Sequence, residues 1–116
     1  MSEDVCLFCE IISGTIPSAK IYEDDYVIAF NDINPQAPVH ILIIPKQHIA
    51  GVGDIGEADT ELMGRLVVAA KKIADKQKVK EGSYRLVFNN GTLSGQAVFH
   101  VHLHLLAGRA FHWPPG

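Results

Sequence analysis

No stretch of this sequence approaches the roughly 20 consecutive apolar residues that a membrane-spanning helix needs, so no membrane span is expected. Neither sign of charge dominates: 10 Lys and Arg stand against 13 Asp and Glu, a net charge of −3. There is no basic stripe of the kind that neutralises nucleic-acid phosphates or clings to an anionic bilayer, so neither partner is expected. Internal repeats, low-complexity segments and linkers are also missing, and 1–116 reads as a single domain with one modest core. Cysteine is scarce, with two residues, both in Cys6-Leu7-Phe8-Cys9. The run MSEDVCLFCE is acidic and has no basic segment, so no secretory signal and a cytoplasmic location are expected. In a reducing compartment a C-x-x-C pair suggests a metal or redox pair, not a stapling disulfide.

What is present has clear periods. Leu7, Phe8, Ile11 and Ile12, followed by the breakers Gly14 and Pro17, predict a short helix. AKIYE and YVIAFND, separated by Asp24-Asp25, predict a hairpin, and the β-branched run VHILIIP a third strand stopped by Pro45. In DTELMGRLVVAAKKIADKQKV the apolar positions Leu62, Leu66, Ala69, Ala70 and Ile73 form a helical stripe, with Glu61 near its start and lysines near its end. Gly82 is the expected terminator. YRLVFN reads as a fourth strand, NNGTLSGQ as a loop, and FHVHLHLLA as a fifth strand. The fold class is therefore α+β: a five-stranded, mainly antiparallel sheet with one long and one short helix.

Three of the six histidines, His100, His102 and His104, alternate with Val101, Leu103 and Leu105. On a strand such alternation puts the histidines on one face and the apolar residues on the other. The apolar set must face the core, and the histidines are then expected to line a polar groove on the outer face. Three readings fit: a polar face that happens to use histidine, a metal site built on His-x-His, or acid–base and nucleophilic chemistry, for which a neutral imidazole near pH 7 is well suited.

GQAVFHVHLHLL resembles the histidine-triad (HIT) motif, in which three histidines alternate with apolar residues. The likeness extends to FCEIISGTIPSAKIYEDD, AFNDINPQAPVHILIIPKQH and the terminal FHWPPG, covering nearly the whole chain, and points to the nucleotide-binding branch of the family. It implies a homodimer with its sheets joined across a twofold, the long helix and fourth strand at the interface, and hydrolysis of the P–N bond of purine nucleoside 5′-monophosphoramidates to AMP or GMP. By the same resemblance His102 is the nucleophile that forms a nucleotidyl-histidine, and His104 stabilises charge on the phosphate oxygens. His100 and His40 hold the nucleophile's ring in its reactive tautomer, and catalysis needs no cofactor. A non-catalytic nucleotide-binding or scaffolding protein is the alternative, as is a hydrolase whose histidines hold a catalytic metal.

The resemblance also assigns the nucleotide contacts. Asp32 accepts the ribose hydroxyls, Phe8, Ile11, Phe30 and Ile33 sandwich the purine, and Asn89 contacts the phosphate; the loop Gly95-Gln96-Ala97-Val98, just before the triad, is itself a candidate to hold the phosphate through main-chain N–H groups. A capping role for Asp32, a turn role for Asn89 and a plain core role for the apolar set remain open. Many relatives carry Ser where this chain has Ala97, which has no hydroxyl to give the phosphate or leaving group. Bacterial relatives with C-x-x-C at this position resemble a structural zinc site, with Cys6, Cys9, His48 and His100 as ligands; a reduced, metal-free pair is the alternative. Trp113, in a tail too apolar for solvent, is expected either on its own core or, by the resemblance, near the partner's active site.

Overall fold

A computed structural model describes residues 6–116. The acidic run 1–5, on which the expected lack of a secretory signal partly rests, lies outside the described residues. The elements follow the order α1 (Leu7–Ser13), β1 (Lys20–Glu23), β2 (Val27–Asn31), β3 (Val39–Pro45), α2 (Thr60–Gln77), β4 (Tyr84–Phe88) and β5 (Leu103–Ala107). The strands form one sheet in the order β1-β2-β3-β5-β4. Every neighbouring pair is antiparallel.

Strand alternation divides the core in two. Val27 and Ala29 of β2, Ile41 and Ile43 of β3, and Leu103 and Leu105 of β5 turn to one face, where Leu66, Ala69, Ala70, Ile73 and Ala74 of α2 cover them. Ile28, Phe30, Leu42 and Ile44 turn to the other face and pack with Phe8 and Ile11 of α1. A fully buried side chain of this size stabilises by about 1.5–3 kcal/mol, so both helices are held by burial more than by propensity.

Helix α1 is capped at both ends: Cys6 Sγ accepts from the Cys9 N–H, and Gly14, at φ 85°, closes it with an N–H to the Ile11 carbonyl. Helix α2 ends earlier than the expected Gly82. Lys78 turns left-handed at φ 51° and its N–H bonds back to Ala74 and Asp75, and Gly82 instead closes a separate turn, Lys80–Gly82. The fifth strand is also shorter than expected. Its ladder begins at Leu103, and residues 98–102 approach it without sheet pairing. Val101 is held instead by an N–H to the Ile49 carbonyl at 2.6 Å. His100 and His102 therefore stand on the lead-in to β5, and only His104 on the strand.

Candidate active site and metal centre

The register pairs His104 with Leu42, a residue of the α1 face. The triad thus shares a face with a second hydrophobic cluster and does not line the open polar groove expected from the alternation. His100 is 0 % exposed and His102 8 %. Phe8 closes over them, its ring edge-on to His102 at 5.2 Å between centroids and to His100 at 6.0 Å. Helix α1 is what converts an outer face into an interior.

Buried histidines must place every ring nitrogen, and the partners reveal the tautomers. His102 Nδ1 lies 2.7 Å from the His100 carbonyl. A carbonyl only accepts, so Nδ1 carries a proton, and in the neutral ring Nε2 keeps a free lone pair. His40 Nδ1 lies 3.0 Å from the Gln36 main-chain N–H, which only donates, so His40 carries its proton on Nε2. Burial keeps His40 neutral by lowering its pKa, against the opposing pull of Asp32. His40 Nε2 then donates to His104 Nδ1 at 2.9 Å, with Asp32 Oδ2 3.4 Å away. Burial above all, then the neighbouring His102 and His40, pushes the His104 pKa down to about 4. At neutral pH His104 is uncharged, accepts at Nδ1, and presents Nε2–H. That Nε2 is buried and has no partner among the described residues. Leaving such a donor unpaired costs about 1–3 kcal/mol, and a ligand oxygen would relieve it.

These assignments correct two expected roles. His100 orients the His102 ring through its main-chain carbonyl and not through its imidazole. His40 bonds His104, and the ring of His102 is held by the main chain.

The His100 ring is occupied elsewhere. Its Nε2–H donates to the Pro45 carbonyl at 2.8 Å, so the Nδ1 lone pair is free to bind a cation. Around that nitrogen stand His48 Nδ1 at 3.1 Å, Cys6 Sγ at 3.5 Å and Cys9 Sγ at 3.6 Å, with Cys9 Sγ 3.3 Å from His48 Nδ1. Tetrahedral zinc with ordinary bond lengths sets N···N edges of about 3.3 Å and N···S edges of about 3.6 Å. The donors are already at those separations, and the set is chemically that of a structural zinc site. With no cation, burial and then Cys6 raise the Cys9 thiol to about 11; a Cys9 thiolate needs a positive ion beside it.

The model of the HIT domain matches residues 13–111. The chain belongs to the HIT family. Its five-stranded antiparallel sheet with two helices is the HIT fold. A HIT family hydrolase from Legionella pneumophila, known from a crystal structure, is similar at a TM-score of 0.93 and 51% identity, covering 97% of this chain and 100% of that one. The crystal structure of a histidine triad nucleotide-binding protein from Candida albicans is similar at a TM-score of 0.79 and 36% identity, over 95% of this chain and 83% of that one. A 14 kDa zinc-binding protein of Zea mays is 45% identical over 118 residues, spanning 100% of this chain and 91% of its own length. This HIT domain is hydrolase-like, and its Cys2His2 cluster fits zinc.

The remaining expected contacts of the HIT site divide by burial. Phe8, Ile11 and Phe30 are buried together, Phe8 and Phe30 meeting edge-on at 5.5 Å, whereas Ile33 is 99% exposed and packs into no slot. It lies on the loop after β2, beyond the sheet that buries the other three. Asp32 Oδ1 accepts the Asn34 N–H at 2.8 Å, the capping role left open above, with Oδ2 turned toward His40. Asn89 and Val98 are half-buried, and Gly95 and Ala97 exposed. The Gln96 side chain turns inward, 4% exposed, donating to the Ala50 and Val98 carbonyls and accepting from the Gly91 N–H. These bonds lock the loop. Asn90 was not singled out from sequence, yet its Oδ1 holds the Gly53 N–H at 2.8 Å and ties the two loops together. Trp113 is 84% exposed, so the tail does not bury it on its own core.

Proposed function

We propose that this HIT protein hydrolyses purine nucleoside 5′-monophosphoramidates, releasing AMP or GMP. The observation that carries the reading is the pairing of two ring nitrogens: His102 Nε2 with a free lone pair, and His104 Nε2–H without an acceptor. The first is a nucleophile and the second a preorganised donor for a phosphate oxygen. In the first step a His102 Nε2–P bond forms and the P–N bond breaks; the amine leaves with the bonding electrons and takes a proton from solvent. The positive charge gained by the ring is stabilised at Nδ1–H by the His100 carbonyl. Water then attacks phosphorus and releases a proton to solvent, and His102 departs as neutral imidazole.

In this reading Asp32 gives up its local bond to Asn34 to take the ribose hydroxyls. Phe8, Ile11 and Phe30, with Ile33 at the mouth, make an apolar purine site that separates adenine from guanine weakly. Asn89 and the main chain of residues 95–98 hold the phosphate. Cys6, Cys9, His48 and His100 hold a structural zinc that ties α1 to the sheet, and catalysis itself uses no cofactor. The protein works in the cytoplasm as a homodimer, in which Trp113 reaches the partner's site. No described helix is long and apolar enough to cross a membrane. The test is hydrolysis of adenosine 5′-phosphoramidate by the wild type and by His102→Ala. Turnover should fall by at least about 10⁴-fold, with AMP binding nearly intact. Wild-type turnover in the variant would refute the covalent route; inactive wild type that still binds AMP would favour a non-catalytic binding protein.

A further inference from the structure

The end of β5 is pressed against the loop that carries the His40 partner. Gly108, at φ +97°, leaves no room for a side chain: a Cβ there would lie 2.8 Å from Pro38 Cβ. The next residue, Arg109, donates from Nε to the Gln36 carbonyl at 3.0 Å. Its guanidinium also lies 4.3 Å above the Phe111 ring. Gln36 is thus held at its carbonyl by Arg109 while its N–H donates to His40 Nδ1 at 3.0 Å. His40 Nε2 continues to His104 Nδ1 at 2.9 Å. Three hydrogen bonds join an exposed arginine to the His104 ring, whose Nε2 has no partner among the described residues.

Direction matters in such a chain. The Gln36 N–H cannot reverse, so every donor downstream is fixed: His40 protonated at Nε2, His104 at Nε2. If the Gln36 N–H swung away, His40 could take its proton at Nδ1. His104 would then donate back to His40 and turn a lone pair toward the substrate. A lone pair facing a phosphate oxygen repels where a donor attracts.

We infer that Arg109 is a positioning residue which, by clamping Gln36, fixes the tautomers of His40 and His104 so that His104 offers a proton to the substrate. The kinetic consequence rests on the phosphoramidase reading; the tautomer assignment does not. Arg109 is exposed, and its replacement should leave the core intact. Long-range ¹H–¹⁵N spectra of the His40 and His104 ring nitrogens at pH 7, without substrate, read the tautomers directly in wild type, Arg109→Ala, Arg109→Lys and Phe111→Ala. In wild type both rings should carry their proton at Nε2. Arg109→Ala should move both toward tautomer averaging, and Arg109→Lys, which keeps one donor, should restore most of the wild-type pattern. Phe111→Ala removes the aromatic support and leaves the donor, so its shifts should stay near wild type. Outright loss of such a donor costs 10²–10³ in kcat, so its partial misorientation in Arg109→Ala should lower kcat by about tenfold with KM within about twofold. Unchanged ring shifts in Arg109→Ala overturn the inference even if turnover falls. Equal shifts in Phe111→Ala and Arg109→Ala overturn it as well, by assigning the effect to the docked tail. Wild type that hydrolyses no phosphoramidate would refute the reaction and leave the ring shifts to decide this assignment.

Discussion

His100 and His102 are two residues apart, point to the same side of the chain and are both buried, yet their rings are used in opposite ways. The His100 ring has a partner at each nitrogen: the Pro45 carbonyl at Nε2, and the cysteine–histidine cluster at Nδ1. The His102 ring has its Nδ1 held by the His100 carbonyl and its Nε2 left free. One residue therefore faces both groups, its ring toward the cysteine–histidine cluster and its main chain toward the His102 ring. A ring with both nitrogens engaged can only contribute structure, while a ring with one nitrogen fixed and one free is available for chemistry. The difference lies in where nearby carbonyls stand, not in residue type.

The comparison can be broken first on the structural side. Cys6→Ser should remove the metal, read by elemental analysis, and lower stability. For an ion present at about a thousand times its dissociation constant the loss is about 4 kcal/mol. Chelation should lower the melting temperature of wild type and leave that of Cys6→Ser unchanged. Protein prepared without chelator and free of metal would leave His100 as a plain buried histidine.

The chemical side can be sharpened by pH. His104 has a folded-state pKa of about 4, below the ordinary histidine value, so below that ordinary value the unfolded chain binds a proton that the folded chain refuses. Its contribution is fully present at neutral pH and is lost as pH falls from about 6.5 toward 4. A shift of this size corresponds to roughly 3 kcal/mol at most. Burial lowers His40 and His100 in the same direction. Urea midpoints should fall over that window in wild type, and His104→Gln should flatten part of the slope. An equal slope in both proteins would deny His104 its depressed pKa.

The sequence made the architecture legible wherever one period held over a whole element. The stripe Leu66, Ala69, Ala70, Ile73 is the buried face of α2, and VHILIIP is β3. It was weaker at ends. Helix α2 stops at Lys78 because that backbone turns left-handed, a conformation no residue preference announced. Alternation placed the triad on one face but left the other cover of that face hidden, because α1 returns over it only in three dimensions. The alternating histidines were legible as a set. Their hydrogen-bond partners were not. The carbonyls of His100 and Pro45 and the N–H of Gln36 are main-chain groups, and main-chain groups leave no mark in a sequence. For the same reason His40 was assigned to the wrong neighbour and Arg109 passed unnoticed.

The claim that His102 Nε2 is the free nucleophile is tested most directly by trapping the intermediate. Wild type should be mixed with adenosine 5′-phosphoramidate, quenched in alkali within the first turnover and digested for peptide mass spectrometry. The account predicts one adenylate adduct, on His102, absent from His102→Ala. An adduct on another residue, or turnover with no adduct at any quench time, would contradict it.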